Sequence, residues 1–149
     1  MNLTKTELLT LARDLAFTKH QGQVDKGGNP YFGHPKRVAE RVAAKGGSEQ
    51  MQMCAYLHDV VEDTDVTFEQ LARMGFPEEV VEGVRALTRM EGESYEEFIR
   101  RCGKNSIARQ VKLADLEDNM DVSRLPGPLS DDDVIRLNKY LKAYHYLKG

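Results

Sequence analysis

Leu57-His58-Asp59-Val60-Val61-Glu62-Asp63 places one histidine and three carboxylates within six consecutive residues. The stretch before it, Met53-Cys54-Ala55-Tyr56, is apolar, and Leu57, Val60 and Val61 continue that character between the ionisable residues. Read as one helix from about Ser48 to Asp63, the segment sets His58 and Glu62 on adjoining turns, and likewise Asp59 and Asp63. Three carboxylates this close repel one another and burden the helix; a cation relieves that cost. Imidazole with carboxylate suits Mn²⁺, Fe²⁺, Co²⁺ or Zn²⁺, and the share of oxygen donors leans toward Mn²⁺. The alternative for these residues alone is a solvated acidic helix end. The apolar flanks argue against it, because they bury the helix that carries them.

On both sides of this segment the apolar residues keep a helical period and strand alternation is nearly absent. Thr4 and Glu7 are spaced as a capping box before a stripe of Leu8, Leu11 and Leu15; Thr67 with Gln70 and Ser94 with Glu97 repeat the device. Pro35 is placed to open a second helix that stops at Gly46-Gly47, and Pro77 to start a fifth. Another runs from about Ser106 to Met120. Leu125-Pro126-Gly127-Pro128 breaks the chain before Ser130 caps a last helix. The pattern predicts an all-α, compact helical bundle of about eight helices, with residues 1–149 as a single domain.

The 149 residues suffice for one sizeable core. Hydrophobic residues make up 40% and charged residues 30%, the balance of a globular chain. A formal charge of -3 speaks against general nucleic-acid binding, which needs a basic face. It leaves room for an anionic small molecule, since one metal or a few cations reverse the field inside a pocket. No segment reaches the roughly 18 uninterrupted apolar residues of a membrane span. The stretch from Met1 to Lys5 lacks a signal-peptide run. Cys54 and Cys102 are not spaced as a metal pair and read as buried, reduced thiols, as expected of a cytoplasmic protein.

Three further segments carry chemistry. In Gly33-His34-Pro35 the proline pushes His34 out of the helical region, to a helix cap where its direction is fixed. That suits a ligand; a histidine cap or a packed core histidine is the alternative. Lys112, Asp115 and Asn119 share one face of an apolar helix, as a surface ion pair or as a metal ligand with support. In the glycine-rich stretch Gly22 to Tyr31, backbone N–H groups can approach an anion and Lys26 can meet a phosphate. His20 and His145 have no partner pattern and read as structural.

Together these segments resemble the HD-domain metallohydrolases, and within them the hydrolase domain of the RelA/SpoT alarmone enzymes and their small stand-alone relatives. The likeness runs from about Leu11 to Leu125. It rests on His20-x-Gly22-Gln23, Gly28-Asn29-Pro30-Tyr31-x-x-His34-Pro35, Leu57-His58-Asp59-Val60-Val61-Glu62-Asp63-Thr64, and Lys112-Leu113-Ala114-Asp115 with Asn119. The resemblance implies that His34, His58, Asp59 and Asp115 hold one Mn²⁺ or a similar ion. It implies that Glu62 and Asp63 act on the attacking water, and that Lys26, Lys112 and Asn119 lie along the substrate. The implied reaction removes the 3′-pyrophosphate of ppGpp or pppGpp. With 149 residues, the synthetase domain of the long family members is expected to be absent.

One departure stands out. The family's alarmone hydrolases usually carry arginine, which packs on the guanine base, where this chain has Asp25; Gly27 stands where serine is frequent. This favours, as an alternative, another phosphorylated nucleotide or cofactor, such as a 3′-phosphorylated nucleotide or NADPH. A non-catalytic nucleotide-binding module is a further alternative. It would be expected to lose a ligand or a catalytic acid, and none of the six is missing.

Overall fold

The computed structural model describes residues 2–149; Met1, the first residue of the stretch read above as lacking a signal-peptide run, lies outside the described residues. Among the described residues the chain forms nine α-helices and one short 3-10 turn, with a lone antiparallel bridge between Val24 and Pro30. The helices are α1 (Lys5–Lys19), α2 (Gly33–Ala44), α3 (Glu49–Leu57), α4 (Val60–Asp63) and α5 (Phe68–Arg73). They continue with α6 (Glu78–Ala86), α7 (Tyr95–Gly103), α8 (Ser106–Asn119) and α9 (Asp131–Lys148); the 3-10 turn spans Val122–Arg124. The three capping boxes form as the sequence spacing requires, and Ser130 with Asp133 makes a fourth.

The α3 helix is the centre of the bundle and packs against α1, α2, α6 and α8. Met53, Cys54, Ala55 and Leu57 are wholly buried there. Truncating Leu57 to alanine would cost about 2–5 kcal/mol, the scale of a leucine deleted from a packed core. Gly83 on α6 is needed for this packing. A Cβ at that position would stand 2.8 Å from the Cys54 sulfur and 3.2 Å from Ile107. Both cysteines are buried and unpaired; burial pushes the Cys54 thiol up to about 12 and that of Cys102 to about 11. Among the described residues no helix is long and apolar enough to cross a membrane.

The structure corrects the sequence reading in three places, two of them at the ionisable cluster. The helix expected from Ser48 to Asp63 is two helices, broken at His58 and Asp59. His58 Nδ1 lies 2.6 Å from the Ala55 carbonyl and closes the end of α3 with a side chain, while Asp59, at φ -107° and ψ -1°, leaves helical geometry before α4 starts. His34 is not excluded from its helix. Phe32 caps α2, so His34 and Pro35 both lie in its first turn, where backbone N–H groups have no intrahelical partner and proline forfeits nothing. Pro77 is likewise the residue capping α6 rather than its first member.

Candidate metal centre and active site

Three backbone segments bring the cluster together: the first turn of α2 supplies His34, the break between α3 and α4 supplies His58 and Asp59, and the last turns of α8 supply Asp115. His34, His58 and Asp115 are buried, and one donor atom from each lies within 4.8 Å of the others. His34 Nε2 is 2.7 Å from Asp115 Oδ1 and 3.3 Å from His58 Nε2; His58 Nε2 is 3.4 Å from Asp115 Oδ1. Asp59 joins this group from the His58 side, its Oδ2 lying 3.1 Å from His58 Nε2 and 3.9 Å from His34 Nε2.

The tautomers follow from the partners. The Ala55 carbonyl can only accept, so His58 Nδ1 carries the hydrogen and Nε2 turns its lone pair to the cluster. At His34, Nδ1 lies 2.7 Å from the Asp118 carboxylate, which again leaves Nε2 for the cluster. Burial opposes a charge on either ring, but hydrogen bonds to Asp115 and Asp118 raise the pKa of His34. The charges of Asp59 and Asp115 raise that of His58 well above the usual histidine range. Burial opposes ionisation of Asp115 too, yet Lys112 and His58 hold it well below the carboxylate range. The field at the two Nε2 atoms therefore draws positive charge.

This donor set fits a divalent ion. Ligand atoms about 2.1 Å from a transition metal and at right angles to one another are roughly 3 Å apart, and the separations above bracket that value. Two imidazoles and two carboxylates are borderline and hard donors of the kind that bind Mn²⁺, Fe²⁺, Co²⁺ or Zn²⁺.

A surrounding layer fixes these four side chains. Asp118, with no exposed surface, receives Arg37 Nε at 2.8 Å on Oδ1 as well as the His34 ring on Oδ2, and Arg124 Nη2 lies 3.3 Å from Oδ2. Its carboxyl is held to about 2; burial is outweighed by the hydrogen bonds to His34 and Arg37. Tyr31 donates its hydroxyl to Asp59 Oδ2. Lys112 Nζ lies 2.7 Å from Asp115 Oδ2, and Asn119 Nδ2 donates to Asp115 Oδ1 at 3.1 Å. His20, buried, engages Gln23 Oε1 through Nδ1, and Gln23 Nε2 donates to the Asp63 carbonyl, which ties the end of α1 to α4.

Two cavities open onto the cluster, and Tyr31, His34, Asn119 and Tyr140 line both. The larger, about 340 Å³, is walled by the Val24–Gly27 loop, Arg37, Arg124 and Arg136 and contains Lys26. The smaller, about 200 Å³, is walled by Glu62, Arg89, Tyr95, Lys112 and Lys139. Glu62 thus shares a cavity with Asp59 and Asp115, and its pKa is raised by burial and by the charges of Asp59 and Asp63. Asp63 stands one turn beyond Asp59, raised by burial and by Asp59, and lines neither cavity. Asp25 turns inward to its own loop. Its Oδ1 accepts the backbone N–H groups of Gly27 and Asn29, each at 2.9 Å. Gly27 is required beside it, because a Cβ there would stand 2.9 Å from the Arg124 carbonyl.

The model of the HD domain family matches residues 12–118, the stretch that contains all four cluster residues. The chain belongs to the HD-domain family. Among relatives of this HD domain, a probable guanosine-3′,5′-bis(diphosphate) 3′-pyrophosphohydrolase of Synechocystis is 36% identical over 147 residues, covering 91% of this chain and 19% of the relative. The chain therefore spans about a fifth of the length of that relative. The guanosine-3′,5′-bis(diphosphate) 3′-pyrophosphohydrolase MESH1 of Danio rerio is 35% identical over 135 residues, covering 83% of this chain and 74% of the relative. A solved structure of a metazoan ortholog of SpoT, described as hydrolysing ppGpp, superposes with a TM-score of 0.80 at 28% identity; 95% of this HD domain and 86% of that chain are covered.

Asp118, Arg37 and Arg124 are not singled out by the sequence reading, and Tyr31 is quoted there in a motif without a role. Asp118 had a signal: it lies one turn beyond Asp115 on the same face, and a metal-binding histidine needs an acceptor for its other N–H.

Proposed function

We propose that this HD domain, comprising residues 1–149, is a metal-dependent phosphohydrolase that removes the 3′-pyrophosphate of ppGpp or pppGpp. The observation that supports it most is the cluster of buried His34, His58 and Asp115 with half-buried Asp59, open to two cavities lined by cations. A relative named for this reaction, three quarters of which the chain covers, carries the same reading. His34, His58, Asp59 and Asp115 would hold one Mn²⁺. When bound, such an ion lowers the pKa of a water and polarises a phosphoryl oxygen.

The chain's own residues do the rest. Glu62, facing the cavity, takes a proton from the attacking water, and Asp63 supports that carboxylate. Water oxygen bonds to the phosphorus attached at O3′, the O3′–P bond breaks, and the 3′ oxygen leaves with a proton as pyrophosphate is released. Lys112 uses one of its three donors on Asp115 and offers the others to a phosphoryl oxygen. Asn119 sits at the junction of the two cavities, against the sugar; Lys26 reaches the 5′-phosphates from its loop. Two buried, unpaired thiols accord with a cytoplasmic setting.

A second reading, hydrolysis of a 3′-phosphorylated nucleotide or NADPH, is favoured by Asp25, whose carboxylate is engaged with its own loop and offers no stacking cation. One experiment separates the two. Purified protein is incubated with Mn²⁺ and ppGpp, pppGpp, a 3′-phosphorylated adenosine nucleotide or NADPH, and the products are resolved by chromatography. Release of GDP and pyrophosphate from ppGpp is expected. No cleavage of ppGpp alongside phosphate release from another member overturns the first reading.

A further inference from the structure

Cations in the two cavities are not used alike. In the larger one the arginines are paired, Arg37 and Arg124 with Asp118, Arg124 also with Asp121, and Arg136 with Asp133, while Lys26 on its exposed loop makes no ion pair among the described residues. In the smaller one Lys112 is paired with Asp115, but Arg89 and Lys139 make no ion pair among the described residues. Arg89 donates through Nε to the Glu93 carbonyl at 3.0 Å and has its remaining donors to offer. The two side chains come from different elements, Arg89 from the segment after α6 and Lys139 from α9, yet converge on one ring. Lys139 Nζ lies 4.5 Å and Arg89 Cζ 6.0 Å from the centroid of Tyr95. The Tyr95 hydroxyl is buried and has no hydrogen-bond partner.

Like charges brought together without a counter-charge raise the energy of the fold unless a ligand supplies one. Burial and then the neighbouring charges of Arg89, Lys112 and Arg136 lower the pKa of Lys139, which is the same excess seen from one group. The carboxylates of this cavity are at its metal end: Asp59 and Asp115 in the cluster, Glu62 beside it. The rim is positive and the ligand it lacks is an anion.

We propose that Arg89 and Lys139 form a second phosphate subsite, which holds the terminal phosphate of a diphosphate ester whose inner phosphate lies at the His34–Asp115 cluster. The assignment rests on the phosphohydrolase reading above and adds to it a reason for choosing diphosphates over monophosphates. A monophosphate satisfies the cluster alone; the second phosphate gives Arg89 and Lys139 the anion they lack. Both residues are exposed, so replacing them leaves the core untouched.

Titration calorimetry of inorganic pyrophosphate and of inorganic phosphate into the full chain, with and without Mn²⁺, tests this against Arg89→Gln and Lys139→Gln. Pyrophosphate is expected to bind about five- to tenfold more weakly to each variant, the scale of one lost charge-assisted contact, while phosphate changes less than twofold. In turnover of ppGpp the same variants should raise KM by a similar factor and leave kcat within about twofold, since the subsite holds ground state and transition state alike. Equal pyrophosphate affinity in wild type and both variants overturns the subsite. Absence of ppGpp cleavage by the wild type, with the pyrophosphate difference intact, overturns the substrate reading and leaves the subsite standing.

Discussion

The two openings of the metal centre are built by opposite rules. Around the larger one the arginines are spent on carboxylates: Asp118 alone engages His34, Arg37 and Arg124, and Asp25 is spent on the N–H groups of Gly27 and Asn29. Around the smaller one Lys112 is spent in the same way, on Asp115, but Arg89 and Lys139 are left over. Paired charge gives a wall its shape, because each pair fixes the position of both side chains. Unpaired charge gives an opening its appetite for a ligand. The four cluster residues lie between the two and share features of both.

The largest expected effect removes what the openings have in common. Asp115→Ala takes one of the four proposed ligands and the partner of His34, Lys112 and Asn119. It should lose bound metal by elemental analysis and all measurable turnover; retention of both would remove Asp115 from the centre. Next, Glu62→Gln and Asp63→Asn should each lower kcat at least about a hundredfold, the low end for a general acid–base group, with metal content and circular dichroism unchanged. Wild-type turnover in either variant would exclude that residue.

Asp118→Asn tests the walled side. It keeps the shape but leaves Arg37 and Arg124 facing a neutral amide in a buried place, and should cost about 2 kcal/mol in denaturant unfolding. Asp25→Ala, which frees two loop N–H groups at a more exposed position, should cost about 1 kcal/mol or less and raise KM more than it lowers kcat. If Asp25→Ala were the more destabilising of the two, the packed Asp118 carboxylate would not hold its wall more firmly than Asp25 ties its loop.

The smallest effect is on the other side and depends on pH. The side-chain hydrogen bond from Arg101 holds the Glu93 carboxyl at about 2, below its ordinary 4.5. A lowered folded-state pKa gives stability that is complete above about pH 4.5 and is lost as pH falls toward about 2. Glu93→Gln should flatten the acid end of a stability–pH profile in that window and lower neutral stability by the same amount that the acid limb no longer loses. An unchanged acid limb would show that Glu93 adds nothing there.

Much of this is legible in the sequence. The capping boxes are local, so Thr4, Thr67 and Ser94 announce their helices. His58, Asp59 and Glu62 sit close enough in sequence for helical spacing to group them. Distance in the chain is what hid the rest. Asp118 meets His34 84 residues away and Arg37 81 residues away, and no periodicity connects them. The break at His58 was hidden for another reason: Val60-Val61-Glu62-Asp63 continues the helical pattern, and the side-chain bond from His58 to Ala55 that ends α3 is not a propensity. Asp25 was visible as a departure from an arginine, but its work is done on its own loop, where the residue type alone says little.

The break between α3 and α4 has a thermodynamic consequence. A metal ion held by His34, His58, Asp59 and Asp115 would join α2, the α3–α4 junction and α8 as one clasp, and the unfolded chain cannot hold those four side chains together. Binding energy at this junction then becomes folding energy: about 2.7 kcal/mol when the free ion is at a hundred times its dissociation constant. The melting temperature of such a chain reports the supply of its metal as well as the quality of its core.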